Sequence, residues 1–187
     1  MRVIAGEAHG RRLRAPSGLQ TRPATARVRA SIFSRLAART ELAGARVLDL
    51  FAGSGSLGLE ALSRGAARAV FVDSSRAAAA AIRDNLRVLG LETRAEVVGA
   101  SVARALAALA ARGARFDLVF VDAPYRDDTS AAVLYAIVGG RLLGGDAYVV
   151  VRRAARAPEI SPAGLDAINI ATLGDHRIVL YRAAAAR

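Results

Sequence analysis

The 187-residue chain contains no cysteine. That excludes disulfides and any thiolate metal site, and with His9 and His176 as the only imidazoles it argues against a structural zinc. No stretch of eighteen uncharged apolar residues occurs, so no membrane-spanning helix is expected. The opening MRVIAGEAHGRRLRAP has no long apolar core of the kind a secretory signal needs. These absences point to a cytoplasmic protein with neither a metal nor a membrane partner. Lysine is also missing, since all 27 basic residues are arginine. Acids are scarce at one end only: residues 1–40 hold nine arginines and a single acid, Glu7.

What is present suits one domain with a sizeable core: 53% of residues are hydrophobic, which argues against disorder. The net charge is +11, of which +8 lies in residues 1–40 and +3 in the remaining 147. Codon preference explains arginine over lysine and the alanine runs 77–81 and 183–186, but it does not explain the clustering. A basic end on a near-neutral body is the footprint of a phosphate-backbone partner.

Residues 2–5 and 11–14 flank Gly6 and Gly10 and are expected to pair as a short basic hairpin. Pro16, Gly18 and Pro23 mark an irregular connection. Thr25 can cap a helix running to about Arg39, with Val28, Ile32 and Leu36 on one face and Arg27, Arg29, Arg35 and Arg39 around the rest. From residue 45 the pattern alternates: strands over 46–51, 69–73, 94–98, 116–122 and 146–152, helices over 56–64, 75–89, 101–112 and 130–138. Gly65, Gly90 and Gly113 sit just past three of these helices, where a terminating glycine belongs. Such alternation means right-handed βαβ units and a mostly parallel sheet. Residues 167–182 predict an antiparallel hairpin around Gly174-Asp175 at the sheet edge, with the tail beyond Tyr181 frayed. The expected organisation is a basic extension over 1–40 and an α/β domain over 41–187.

Residues 47–60 read VLDLFAGSGSLGLE: a buried strand carrying Asp49, then a glycine turn at the start of a helix. Literally this is G-x-G-x-x-G (Gly53, Gly55, Gly58), a turn whose backbone amides can hold a nucleotide-like ligand. Asp73 ends the next strand, twenty residues past Gly53, where it can accept hydrogen bonds from ribose hydroxyls. Dinucleotide and S-adenosyl-L-methionine (SAM) sites share that feature. Asp49 discriminates, because a carboxylate beside the loop repels a pyrophosphate but suits the ammonium and sulfonium charges of SAM, directly or through the loop it orders. A tight strand–helix turn with no ligand is the plainer alternative.

Phe116–Val121 reads as a second buried strand, running into Asp122-Ala123-Pro124-Tyr125. In the doubly wound order it lies beside the first, so the tetrapeptide would face the glycine loop across the switch point. The chemistry suits methyl transfer to an exocyclic amine. Asp122 and a backbone carbonyl can accept the amine's protons and localise its lone pair, while Tyr125 stacks on the base. An ordinary strand-end turn is the alternative here.

These residues resemble a known family, the bacterial 16S rRNA (guanine-N2)-methyltransferases of the small ribosomal subunit. The likeness rests on Arg2–Gly6 with Gly10–Leu13, on Thr21–Arg29, on DLFAGSGSLGLEALSRGA (49–66), on the tetrapeptide, and on Gly174-Asp175 with Tyr181. The resemblance implies a Rossmann-like class I SAM-dependent methyltransferase fold, a mostly parallel seven-stranded sheet with a C-terminal antiparallel hairpin and a small basic N-terminal extension. It implies methylation of the N2 amine of a guanine in 16S rRNA, of the guanine-966 type, by a monomer acting on the rRNA or a small-subunit assembly particle. Asp122, Pro124 and Tyr125 would sit at the target base, and Asp49, Phe51, Gly53, Ser54, Gly55, Asp73 and Ser74 would hold SAM. Arg22 and Thr25 would close over the site, and Arg11, Arg12, Arg14 and Arg29 would grip RNA. The chain departs from the family's pattern at Ala123, where proline is usual, at Ala26 and Arg152, where acids are common, and at Ala100, which lacks a carboxylate many SAM enzymes carry. Another RNA or DNA amino-methyltransferase, a SAM-binding RNA-binding module of weak or no activity, and a nucleotide-dependent oxidoreductase are the alternatives. Ser56 and Glu60 read as surface or capping residues, and His9 and His176 as solvated.

Overall fold

The computed structural model describes residues 1–16, 25–123 and 129–184. Among the described residues, twelve α-helices and β-strands follow one another as α1 (Ala26–Ala37), β1 (Arg46–Leu50), α2 (Ser56–Ser63), β2 (Arg68–Asp73), α3 (Arg76–Leu89), β3 (Ala95–Gly99), α4 (Val102–Ala111), β4 (Phe116–Val121), α5 (Thr129–Gly139), β5 (Leu143–Ala154), β6 (Leu165–Leu173) and β7 (His176–Ala183), with a short 3-10 helix at Glu92–Arg94. Short polar residues start the helices. Thr25, Ser75 and Ser101 each accept a hydrogen bond from a backbone N–H three residues on, occupying a donor that the first helical turn leaves unpaired.

The seven strands form one sheet in the order β3-β2-β1-β4-β5-β7-β6. The first five run parallel, and β7 pairs antiparallel with both β5 and β6. The hairpin therefore inserts β7 inside the sheet and leaves β6 at the edge. Of the tail expected to fray beyond Tyr181, Arg182 and Ala183 instead stay in the ladder, paired with Asp166 and Leu165, and residues 185–187 lie outside the described residues. The expected N-terminal hairpin is present as one antiparallel bridge, Arg2 with Arg12, supported by the Val3 N–H on the Arg11 carbonyl and the Gly10 N–H on the Val3 carbonyl.

Alternate residues of the central strands go to opposite faces. Val47, Leu118, Phe120, Tyr148, Val150, Ile178 and Leu180 point to the face covered by α1, α2 and α3. Leu48, Leu50, Val119, Val121, Val149, Val151 and Val179 point to the face covered by α4 and α5. The N-terminal residues belong to the first of these layers, with Val3, Leu13, Val28, Ile32, Phe33 and Leu36 all buried in it. No helix among the described residues is long and apolar enough to cross a membrane.

Candidate functional site

The chain leaves β1 outward to β2 and β3, then returns to β4 on the other side of β1, so the carboxyl ends of β1 and β4 bound a crevice at the switch point. Asp49 lies on β1 with its side chain turned under the glycine loop, 1% exposed. Its Oδ2 accepts a hydrogen bond from the Gly58 N–H at 2.9 Å. The third glycine of the literal fingerprint is thus a partner of Asp49, and its missing side chain has a second reason. A Cβ there would come within 2.4 Å of the Phe71 ring, so only glycine lets α2 pack this closely on β2. The loop turns through left-handed backbone at Phe51, Gly53 and Gly55 (φ 57°, 56° and 74°), and Gly55 caps α2.

Asp73 ties the loop to the next turn, its two oxygens accepting from the Gly53 and Ser75 N–H groups, each at 2.8 Å. Each oxygen keeps a lone pair for a ligand. Ser54 is buried, its carbonyl held by the Asn85 amide at 3.0 Å, while Ser74 is exposed beside Asp73. Asn85 also exchanges two hydrogen bonds with the backbone of Arg14, at 2.7 and 3.0 Å, linking the loop to the N-terminal segment.

Burial pushes the Asp49 carboxyl well above its ordinary pKa, against the opposing Gly58 N–H, and the nearby charges of Asp122 and Asp73 push it further the same way. Neither Asp49 nor Asp73 is paired with an arginine among the described residues. An acid-lined crevice on so basic a chain fits a positively charged ligand and repels a pyrophosphate. The donor set therefore fits SAM, with Asp49 acting through the loop it orders.

Across the crevice, β4 delivers Asp122, whose N–H lies 3.5 Å from the Leu50 carbonyl. The Asp122 carboxylate is gripped by Arg152 of β5, Nε to Oδ1 at 2.5 Å and Nη2 to Oδ2 at 2.9 Å. Both side chains are largely buried. Burial raises the Asp122 pKa, opposed by the hydrogen bonds and charge of Arg152 and by the charge of His176. Counting by two explains the meeting. Asp122 follows Leu118 and Phe120 on one face, Arg152 follows Tyr148 and Val150, and His176 precedes Ile178 and Leu180. His176, expected to be solvated, is half-buried and faces this cluster. Arg22, Pro124 and Tyr125 lie outside the described residues.

A cleft of about 380 Å3 opens beside the cluster, walled by Thr25, Arg27 and Val28 of α1 and by the turn Thr172–His176 between β6 and β7. Thr25 thus lines the same cleft as His176 as well as capping α1. Arg27 lines the same cleft, a placement that helical spacing alone does not reveal.

Arg11, Arg12 and Arg14 are exposed, as a surface gripping RNA requires. Arg29 is not. It is 1% exposed, donates from Nη2 to the Arg2 carbonyl at 2.8 Å, and lies 3.8 Å from Glu60. An interior arginine cannot reach a phosphate, so Arg29 leaves the RNA-contacting set. The signal was present, because Arg29, Ile32, Phe33 and Leu36 follow the spacing of one helix face. Glu60, read as a surface or capping residue, is 0% exposed and ties the N-terminal segment and α1 to α2. It accepts from Ile4 N–H at 2.7 Å, Ala5 N–H at 3.0 Å and Arg64 Nε at 2.8 Å. Ser56 is likewise buried at the start of α2, and His9 is exposed as expected. No group of three or more metal-ligating side chains occurs among the described residues.

A doubly wound sheet with an acid-lined glycine turn, faced by an aspartate at the end of β4, defines a Rossmann-like methyltransferase domain. The family described as "Conserved hypothetical protein 95" matches residues 1–182. The "Putative rRNA methyltransferase YlbH" of Bacillus subtilis is 42% identical over 150 residues, 80% of each chain. Ribosomal RNA small subunit methyltransferase D of Haemophilus influenzae is 31% identical over 97% of this chain and 92% of its own. The solved "Putative methyltransferase yhhF from Escherichia coli" superposes with a TM-score of 0.85 at 34% identity, covering 100% of this chain and 99% of that one. The chain belongs to the family of small-subunit ribosomal RNA methyltransferase D.

Proposed function

We propose that the protein methylates ribosomal RNA with SAM as the methyl donor, and that its target is the exocyclic N2 amine of a guanine in 16S rRNA, of the guanine-966 type. The observation that carries the reading is the acid-lined glycine turn facing Asp122 across the β1/β4 switch point. SAM, when bound, supplies an electrophilic methyl group on a positively charged sulfur. The Asp122 carboxylate and the Ala123 carbonyl accept hydrogen bonds from the two amine protons, so the nitrogen lone pair is less delocalised into the ring and better aligned for attack. The same two acceptors would stabilise the positive charge that gathers on the nitrogen as it takes up the methyl group, until a proton passes from it to solvent. By the sequence pattern alone, Pro124 would restrict residue 123 to extended geometry and Tyr125 would stack on the base. Asp49, Phe51, Gly53, Ser54, Gly55, Asp73 and Ser74 hold the donor. Arg22 and Thr25 close over the target, while Arg11, Arg12 and Arg14 hold phosphates of the rRNA or of a small-subunit assembly particle, with the protein acting as a monomer.

The test is methyl incorporation from labelled SAM into 16S rRNA, free or in subunits, taken from cells lacking the gene. Mapping the modified base should place it at one guanine N2, and Asp122→Ala should abolish it. A second reading, a SAM-binding RNA-binding module of weak or no activity, draws on one observation: Arg152 already occupies the Asp122 carboxylate. SAM and RNA binding without incorporation into any rRNA preparation would favour it.

A further inference from the structure

We propose that Arg152 is a positioning residue for the methyl transfer, holding Asp122 in the orientation in which its remaining lone pairs face the target amine. The inference rests on the methyltransferase reading and deepens it. A carboxylate has about four acceptor positions, and a side-on guanidinium takes two of them. The Nε and Nη2 contacts at 2.5 and 2.9 Å engage one acceptor position on each Asp122 oxygen, while the Asp122 side chain keeps 15% of its surface exposed. Arg152 reaches this place on β5, which pairs with β4 through Val121 and Val151, so its backbone is fixed one step from Asp122. The planar fork fixes the carboxylate plane as well as its charge, which an ammonium could not do. Among the described residues, the titratable groups facing Asp122 are Arg152 from β5, His176 at the start of β7 and Asp49 from β1. Of these, only Arg152 both donates hydrogen bonds and carries a permanent positive charge. Burial favours the protonated acid, and a protonated Asp122 presents a poorer acceptor to the amine. Arg152 opposes that.

The experiment is single-turnover methyl transfer, on rRNA or subunits from cells lacking the gene, as a function of pH. Arg152→Gln is expected to slow transfer at pH 7 by up to roughly 100-fold and to move the acid limb of the profile to higher pH, with SAM affinity retained. In an Asp122→Asn background the same substitution should change the residual rate little, because Arg152 acts through Asp122. Arg152→Lys should hold the acid limb near the wild-type position yet remain slower, and it decides the matter should Arg152→Gln lose the fold. An active wild type whose Arg152→Gln or Arg152→Lys variant is as fast or faster overturns the inference, as does slowing that is uniform in pH or undiminished by Asp122→Asn. A wild type that binds SAM but transfers no methyl group overturns the methyltransferase reading itself.

Discussion

Removing Glu60 should destabilise the protein far more than removing Arg29, although the two side chains are neighbours. Glu60 is wholly buried and accepts from Ile4 N–H, Ala5 N–H and Arg64 Nε. Glu60→Ala orphans two backbone donors, each costing about 1–3 kcal/mol when buried. It also strands Arg29, whose Nε and Nη1 already lack a hydrogen-bond partner. Breaking a buried pair from one side costs about 3–5 kcal/mol, and since Ile4 and Ala5 are only part-buried, about 4 kcal/mol is the expected total. At roughly 2–4 °C per kcal/mol for a domain of this size, Tm should fall by about 8–16 °C. Arg29→Met removes two unsatisfied nitrogens and one hydrogen bond, leaves Glu60 with Arg64 and both backbone donors, and fills the space with an apolar chain. Its expected cost is about 1 kcal/mol or less, of either sign. Thermal and urea unfolding followed by circular dichroism measures both. Equal losses in the two variants, or a Glu60→Ala loss below about 1 kcal/mol, would refute the reasoning.

Gly58→Ala should cost about 1–3 kcal/mol by overpacking, despite alanine's better helix propensity, because the new methyl meets the buried Phe71 ring at 2.4 Å; denaturant unfolding checks it, and SAM affinity should fall with it. The folded-state pKa of Asp49 lies well above its unfolded value. An acid shifted that way favours folding fully below the unfolded pKa and loses that contribution as pH rises through the folded one. Asp49→Asn keeps an acceptor for Gly58 and removes the ionisation, so its Tm should gain on the wild type as pH rises from 4 toward 8, while SAM affinity drops; parallel Tm–pH curves for the two would refute the assignment. Replacing Arg11, Arg12 and Arg14 by alanine should each flatten the salt dependence of RNA binding by about 0.7–0.9 in log–log slope, whereas Arg29→Met should leave it unchanged.

What could be read from the sequence divides by whether the signal is local. The strands of the parallel sheet were legible because strands buried on both faces read as unbroken apolar runs, and the helix ends because Thr25 and Gly90 satisfy them chemically. Asp49 and Asp73 were legible because each is an acid at the end of such a run. The pairings that complete the site join residues distant in sequence, Arg152 with Asp122 and Asn85 with Arg14 and Ser54. A charged residue with no visible partner is assigned to the surface by default, which is how Arg29, Glu60 and His176 were placed wrongly. Yet the cluster around Asp122 needs little beyond strand order. Once β5 lies beside β4 and β7 beside β5, counting by two from Phe120, Val150 and Ile178 brings Asp122, Arg152 and His176 to one face at one end of the sheet. The missing information was therefore adjacency, above all the insertion of β7 beside β5, which places a histidine from the hairpin turn opposite an acid more than fifty residues before it. With that adjacency, the arginine that departs from the family's pattern at 152 becomes the residue opposite Asp122, and its effect on methyl transfer becomes measurable.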